Sequence, residues 1–158
     1  MSDPAEAPVL RATAAEAAVV GRLLWEFNEE FSFHGPGADE LAGRFMDLLD
    51  RDDVVVLLSG SRDDPTGFAF LTLRPTPYYD GPLAQLEELY VKPHLRDRGV
   101  GTALLSAAVD LVRSRHGGEI HINVDEVDVD TRRFYERHGF TNIQPGEDYR
   151  MLCYLREV

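Results

Sequence analysis

The stretch from Leu86 to Leu105, LEELYVKPHLRDRGVGTALL, decides the fold. It begins as an apolar strand, passes through a basic loop to Gly99 and Gly101, and continues as a helix. Backbone N–H groups that open a helix have no carbonyl one turn earlier, and the helix dipole adds positive potential there. Glycine also lets a ligand approach the backbone closely. The pattern predicts a binding site for a phosphate group, against the alternative of an ordinary glycine-rich helix start.

Charge along the chain supports this interpretation. The whole sequence has 28 acidic and 16 basic residues, a net charge of -12. The loop nevertheless concentrates three basic residues, Lys92, Arg96 and Arg98, against the single acid Asp97. A strongly acidic chain is a poor partner for nucleic acid, whose phosphates are bound by clustered lysine and arginine. We expect no nucleic-acid partner, and we expect the basic loop to serve a small anionic ligand.

Two common phosphate sites can be compared with this spacing. A P-loop requires Gly-Lys-Ser/Thr, whereas Lys92, the only lysine, precedes both glycines, so a P-loop NTPase is excluded. A dinucleotide fingerprint requires a third glycine three residues after Gly101, where this chain has Leu104. Asp125 could serve as the acid that binds a ribose, so a dinucleotide-binding protein stays a weaker alternative.

The remaining pattern predicts a single α/β domain over residues 1–158, with a mixed sheet. Thr13 and Glu16 have the spacing of a capping box that opens a helix. Apolar residues then recur at helical intervals to Phe31. The other predicted elements are a strand near Val9, a helix over Asp39–Arg51, a hairpin of Val54–Ser59 and Gly67–Leu73, a strand over Leu83–Val91, a helix from Val100 to about His116, a strand over Glu119–Val124, a helix over Thr131–His138 and a strand over Tyr149–Leu155.

Two motifs resemble those of the GNAT superfamily of N-acetyltransferases. The pyrophosphate loop of that family, Gln/Arg-x-x-Gly-x-Gly/Ala, is similar to Arg96-Asp97-Arg98-Gly99-Val100-Gly101. A second family segment is similar to Ile122, Val124 and Asp128 followed by Phe134–Phe140, with aspartate where the family commonly has asparagine. The resemblance implies a largely antiparallel central sheet flanked by helices, and acetyl-CoA as co-substrate.

The resemblance also implies which residues bind acetyl-CoA. In the family, loop and helix amides hold the pyrophosphate, and backbone groups of the preceding strand contact the thioester and the pantetheine arm. An amide aimed at the thioester carbonyl stabilises the negative charge that acyl transfer places on that oxygen. The implied donor-binding residues are Leu89, Val91, Arg96, Arg98, Gly99, Val100, Gly101, Thr102, Asp128 and Arg132.

Three side chains are candidates for proton transfer. Tyr135 matches the family tyrosine that protonates the departing thiolate, and packing of its helix onto the sheet is the alternative role. A phenol with a pKa near 10 can donate to a thiolate whose acid has a pKa near 8.5. Glu87 and Glu88 lie on the strand that presents the thioester. Because neighbours on a strand point to opposite faces, one of them should face the site, and we prefer Glu87 since it shares parity with Leu89 and Val91.

The acceptor is predicted to be a small, cationic amine, polyamine or basic drug. Carboxylates and aromatic faces favour a cation, and Glu26, Glu30, Tyr78 and Tyr79 occupy segments that shape the acceptor pocket in the family. The same acids could instead form a solvated helix face. The five histidines lie in separate segments, and no metal site is expected.

The remaining expectations concern location and alternative functions. A single cysteine, Cys153, no secretory leader and no long apolar run favour a cytoplasmic protein without a membrane partner. A homodimer is implied only by the resemblance. An alternative from another class is a CoA-binding regulatory module that does not catalyse.

Overall fold

A computed structural model describes residues 2–158, which form two compact units, 2–121 and 122–158. The first unit contains a five-stranded sheet in which spatial order follows chain order, and β1 to β4 pair antiparallel while β5 pairs parallel to β4. The strands are β1 (Val9–Arg11), β2 (Val54–Gly60), β3 (Pro65–Arg74), β4 (Leu83–Val91) and β5 (Ile120–His121). The predicted mixed, largely antiparallel sheet is confirmed, and the single domain over 1–158 stays a prediction.

Four α-helices accompany the strands. They are α1 (Ala17–Glu30), α2 (Ala38–Leu48) and α3 (Val100–Ser114) in the first unit, and α4 (Val129–Arg137) in the second. The predicted capping box precedes α1: the Thr13 N–H donates to Glu16 Oε2 at 2.6 Å, and the Ala15 N–H donates to Thr13 Oγ1 at 3.3 Å. Among residues 2–158, no helix is long and apolar enough to cross a membrane.

The two faces of the sheet pack against different helices. One face packs against α1 and α2, as in the edge-to-face contact of Phe45 with Phe70, whose ring centroids are 5.5 Å apart. The opposite face packs against α3: a Cβ built on Gly67 would lie 3.3 Å from Leu104 Cδ1. Side chains alternate between these faces along each strand, so the parity of a residue determines which helix layer it meets. The face toward α1 and α2 is called the α1–α2 face below.

A bulge interrupts β4 at Glu87. Leu86 lies opposite Leu71 of β3 and Glu88 lies opposite Phe70, so no residue of β3 lies opposite Glu87. One extra residue reverses the alternation of side chains along a strand. Glu88 therefore shares the α1–α2 face with Phe70.

The bulge corrects the prediction about the two glutamates. The Thr72 hydroxyl, which is on the α1–α2 face, donates to Glu87 Oε1 at 2.6 Å. Both carboxylates are thus on one face, and the prediction that they point to opposite faces is wrong. The prediction that Glu87 points to the same face as Leu89 and Val91 is also wrong, because the bulge changes the alternation of side chains between Glu87 and these two residues.

Close backbone contact anchors the loop between β3 and β4. The Gly81 N–H donates to His116 O at 3.0 Å, where the chain leaves α3. A Cβ on Gly81 would lie 2.1 Å from Arg115 O, which is inside van der Waals contact. Only glycine allows this approach. The loop is consequently fixed to the end of α3 by main-chain atoms.

The last two predicted strands differ from the structure. The predicted strand over Glu119–Val124 is reduced to Ile120–His121, because only these residues pair with β4. Residues 149–155 are exposed and form no strand, so that prediction is wrong. An apolar alternating segment becomes a strand only when a neighbouring strand satisfies its backbone groups. Here the Met151 N–H donates to Asn142 O at 2.6 Å, and residues 149–155 form no strand pairing with any other described residue.

Candidate active site

The loop before α3 presents backbone N–H groups. Asp97 and Gly99 both adopt positive φ angles, +58° and +82°, which turn the chain into the helix. No side chain caps the first turn of α3, and no acidic residue lies in it. The N–H groups of Val100 and Gly101 therefore open the helix without a side-chain cap and without an acid in the same turn, as an anion site requires.

The basic side chains of the loop differ in their pairing. Lys92 Nζ contacts Asp64 Oδ1 at 2.6 Å. Arg96 donates from Nη2 to Glu30 Oε2 at 2.7 Å and from Nε to Val91 O at 2.9 Å. Arg98 is exposed and forms no ion pair with any residue that the structure describes. Of the three, Arg98 is the one left to meet an incoming anion.

One edge of β4 is open next to this loop. Within the first unit, β5 pairs with β4 only as far as Gln85. The Lys92 N–H donates to Thr66 O at 2.9 Å, toward β3. Because amide directions alternate along a strand, the N–H groups of Leu89 and Val91 point away from β3, to the open edge. Backbone groups at these two positions are therefore turned to where the resemblance places the pantetheine arm.

Glu88 has an altered acidity. Burial raises its pKa to about 7, and the charge of neighbouring Glu87 acts in the same direction. Glu87 itself is exposed and accepts the hydrogen bond from Thr72. A carboxylate that titrates near neutral pH can accept a proton from a reacting amine and release it again. Glu88 is thus better suited to be a general base than Glu87.

The second unit contains Tyr135, Asp128 and Arg132. Tyr135 is buried on α4, with edge-to-face ring contacts to Phe134 at 5.2 Å and Phe140 at 5.4 Å. Asp128 is the N-cap of α4, and its Oδ1 accepts from the Thr131 N–H at 3.4 Å. The capping role explains why aspartate suits this position, since it caps helices as well as asparagine does. The sequence analysis missed this role, although Asp three residues before Thr131 is a recognisable signal.

Arg132 also has a local partner in the second unit. Its Nη1 donates to Glu126 O at 3.0 Å, while the Glu126 carboxylate pairs with Arg150 at 2.6 Å. Arg132 is half-buried on α4. Its contact with a nucleotide stays a prediction.

The two acids expected to bind a cation on α1 are already paired. Glu30 meets Arg96 as described, and Glu26 lies 3.8 Å from Arg22 Nε. Both pairs are partly exposed, where such pairs contribute little to stability and can exchange partners. The acidic face of α1 is therefore less available to an acceptor than its composition predicts.

A cavity of about 630 Å³ lies at the β3–β4 loop and is lined in part by Arg74, Tyr78, Tyr79, Glu119 and His121. Tyr79 Oη donates to Glu119 Oε2 at 2.7 Å, and His121 Nε2 contacts the other oxygen of Glu119. These two hydrogen bonds hold the pKa of Glu119 below its usual range, with the His121 bond contributing most. Glu119 and His121 were not predicted as site residues. Their spacing of two residues, which places strand side chains on one face, was the available signal.

No group of three or more histidine, cysteine, aspartate or glutamate side chains in residues 2–158 is arranged to hold a metal ion.

Comparisons with known proteins concern the family and the fold. Residues 20–140 match the acetyltransferase (GNAT) family. A crystal structure from Arthrobacter sp. FB24, described as an acetyltransferase, is 52% identical, with a TM-score of 0.89 and 96% of each chain covered. An aminoglycoside acetyltransferase from an uncultured soil metagenomic sample, solved with sisomicin, is 16% identical, with a TM-score of 0.77 and coverage of 96% of this chain and 95% of that one, which shows a shared fold.

A mycothiol acetyltransferase from Thermobispora bispora is similar over a shorter region. It is 37% identical over 71 residues, which is 45% of this chain and 24% of the relative. The chain thus spans about a quarter of the length of that relative. Because the family match covers most of the chain, including the loop and both motifs, the chain belongs to the acetyltransferase (GNAT) family.

Proposed function

We propose that this chain transfers the acetyl group of acetyl-CoA to a primary amine of a small molecule, by direct attack of the amine in a ternary complex. The observation that carries the proposal is the open edge of β4, which runs into the uncapped N-terminus of α3. A thioester arm can pair with the strand edge while its pyrophosphate meets the helix amides.

This geometry supports the following proposal for the donor-binding residues. The amides of Gly99, Val100 and Gly101, continued by Thr102, form the phosphate cradle, and Arg98 adds its free positive charge. Arg96 lies in the same loop, but it must break its ion pair with Glu30 before it can bind the phosphate directly. The family is generally dependent on acetyl-CoA, which supplies the acetyl group as co-substrate.

The backbone of β4 positions the thioester. An amide of Leu89 or Val91 at the open edge can donate to the thioester carbonyl and stabilise the negative charge that develops there. Asp128 and Arg132 are proposed as lesser contacts of the donor, since each has a local structural partner.

Glu88 is proposed as the base that accepts the proton of the attacking amine. An alkyl ammonium has a pKa near 10.4, so a reactive amine must first lose a proton. The raised pKa of Glu88, about 7, suits it to accept that proton directly or through water. Glu87 raises the pKa of Glu88 through its charge and has no direct catalytic role in this proposal.

The acceptor class rests on residues of this chain. Acidic residues outnumber basic residues in the first 91 positions. The cavity at the β3–β4 loop is lined by two tyrosines and by Glu119, whose pKa lies below its usual range. This combination favours an amine cation. Tyr78 and Tyr79 are therefore retained as acceptor-binding residues, whereas Glu26 and Glu30 become secondary candidates because each is paired with an arginine.

Release of the CoA thiol from acetyl-CoA, measured across a panel of amines, tests the function. We expect thiol release that depends on the amine, with the acetylated amine found by mass spectrometry. Binding of CoA without turnover on any amine would instead favour a regulatory CoA-binding module. Thermal stabilisation by NAD but not by CoA would favour a dinucleotide-binding protein.

Tyr135 is proposed as the acid that protonates the departing thiolate. Tyr135→Phe keeps the ring that packs against Phe134 and Phe140 and removes the hydroxyl. We expect kcat to fall about 100-fold, the lower end of what a general acid contributes, with CoA affinity unchanged. Tyr154→Phe, at an exposed tyrosine of the same unit, is the matched control. Equal turnover by Tyr135→Phe and the wild type would refute the assignment.

A further inference from the structure

Polar side chains form a row across three strands on the α1–α2 face. Thr72 of β3 lies opposite Gln85 of β4, and Gln85 lies opposite His121 of β5. Residues directly opposite each other on paired strands point to the same face. Glu87 lies on this face, where it accepts a hydrogen bond from Thr72. Glu88 lies on the same face because the bulge places it opposite Phe70. The proposed base therefore lies at one end of a continuous polar surface.

The cavity lies at the other end of that surface. Arg74 and Leu83, which both line it, are opposite each other in the register and share the α1–α2 face. Glu88 lies five positions after Leu83 on β4, with four residues between them, one of which belongs to the bulge. At about 3.3 Å per residue, the cavity begins roughly 15 Å from the base. An extended ligand could reach both places at once.

Glu119 is the charged group in the cavity that is already held in position. Hydrogen bonds from Tyr79 and His121 fix its two oxygens, so little entropy is lost when a ligand pairs with it. Tyr78 and Tyr79 line the same cavity, and aromatic rings attract cations. This is the arrangement that an ammonium group requires.

The positive charge of Arg74 disfavours a cation in the cavity. Its guanidinium lines the cavity and is exposed, without an ion pair to any described residue. The polar surface and the cavity together contain the carboxylates of Glu87, Glu88 and Glu119, against the guanidinium of Arg74 and the imidazole of His121. The carboxylates therefore leave a net negative potential along the surface, which favours a cation over an anion.

We propose that the acceptor site extends from Glu88 to this cavity, and that Glu119 binds a second ammonium group of an elongated polyamine, roughly 15 Å from the amine that is acetylated. The inference rests on the proposed function and assigns Glu119, Tyr79 and His121 to it. Glu119 pairs with the distal ammonium, and the other two are positioning residues that hold its carboxylate.

Chain-length dependence tests the proposal in the wild-type protein. Acetylation is measured for α,ω-diamines from 1,4-diaminobutane to 1,12-diaminododecane, for spermine, and for monoamines of equal length. We expect kcat/KM to rise about tenfold from the short to the long diamines, as one additional ion pair of about 1.4 kcal/mol predicts, with no such rise for monoamines. A flat profile, or the same rise for monoamines, overturns the proposal.

Two charge variants locate the effect. Glu119→Gln should abolish the preference for long diamines and leave the KM for acetyl-CoA unchanged, whereas Arg74→Gln should strengthen the preference. Glu157→Gln, which removes an exposed carboxylate elsewhere, is the matched control and should retain the wild-type profile. Retention of the preference in Glu119→Gln overturns the proposal. So does a gain for ω-amino acids that depends on Arg74, because the cavity would then bind a carboxylate.

Calorimetric binding separates this inference from the proposed function. If no amine is acetylated, the proposed function fails, yet spermine should still bind the wild type about tenfold more tightly than Glu119→Gln. If amines are acetylated but spermine binds both proteins equally, only the distal site fails. Thermal unfolding of each variant confirms that the comparison is made on folded protein.

Discussion

Replacing Gly101 with glutamate is expected to abolish detectable binding of acetyl-CoA. The substitution places a carboxylate in the first turn of α3, where no acidic residue is present and where the cradle meets the pyrophosphate. Two like charges about 4 Å apart repel by about 4 kcal/mol at an effective dielectric constant of 20, which corresponds to about a 1000-fold loss of affinity. Titration calorimetry with CoA measures the effect.

The fold should survive this change, because a negative charge near a helix N-terminus is favourable for the helix itself. Gly101→Gln introduces a side chain of the same size without the charge, and its smaller loss separates bulk from repulsion. Gly43→Glu places the same carboxylate at an exposed position of α2 with open space around it, and should bind CoA normally. Normal CoA affinity in a folded Gly101→Glu protein would show that the cradle is elsewhere.

Replacing Glu88 with glutamine is expected to lower kcat/KM about 100-fold at neutral pH, because a general base contributes at least that factor. The wild type should lose activity as the pH falls through about 7, since Glu88 is then protonated and cannot accept a proton. Glu88→Gln should lack this acidic limb. If Glu88→Gln still loses activity as the pH falls through about 7, another group is responsible for that loss and is the base.

Glu87→Gln is the companion experiment. The charge of Glu87 helps to raise the pKa of Glu88, so its removal should shift the acidic limb to lower pH without abolishing activity. Stability offers an independent readout. Because the folded protein raises the pKa of Glu88 above its ordinary value of 4.5, ionisation disfavours the folded state as the pH rises. Glu88→Gln should therefore unfold at a higher temperature than the wild type at pH 8, and this advantage should shrink as the pH falls through 7.

Helices and strands were predicted well where residues a few positions apart determine them. The Thr13–Glu16 capping box, the apolar spacing of α1 and α3 and the hairpin of β2 and β3 each depend on neighbours within a few residues. The glycine loop before α3 was predictable for the same reason. A helix start that needs a positive φ restricts the sequence directly, as the angle of +82° at Gly99 shows.

Features that depend on distant partners were not predictable. Arg96 and Glu30 are 66 positions apart, and nothing near either residue signals their ion pair. The bulge at Glu87 depends on the register between β3 and β4, so the alternation rule failed there although it held in the flanking segments. The apolar pattern of residues 149–155 is typical of a strand, but a strand also requires a partner, which the pattern does not encode.

The anchor of the β3–β4 loop has a consequence for how specificity can diverge. Gly81 fixes the loop to the end of α3 through main-chain contacts, and these do not depend on the side chains that line the cavity. Arg74, Tyr78 and Glu119 can therefore be exchanged while the loop keeps its position and the donor loop is untouched. In evolutionary terms, we expect the glycine to be the constrained position and the cavity wall to be the variable one. Libraries that randomise the wall and retain Gly81 are the direct route to new acceptors on this scaffold.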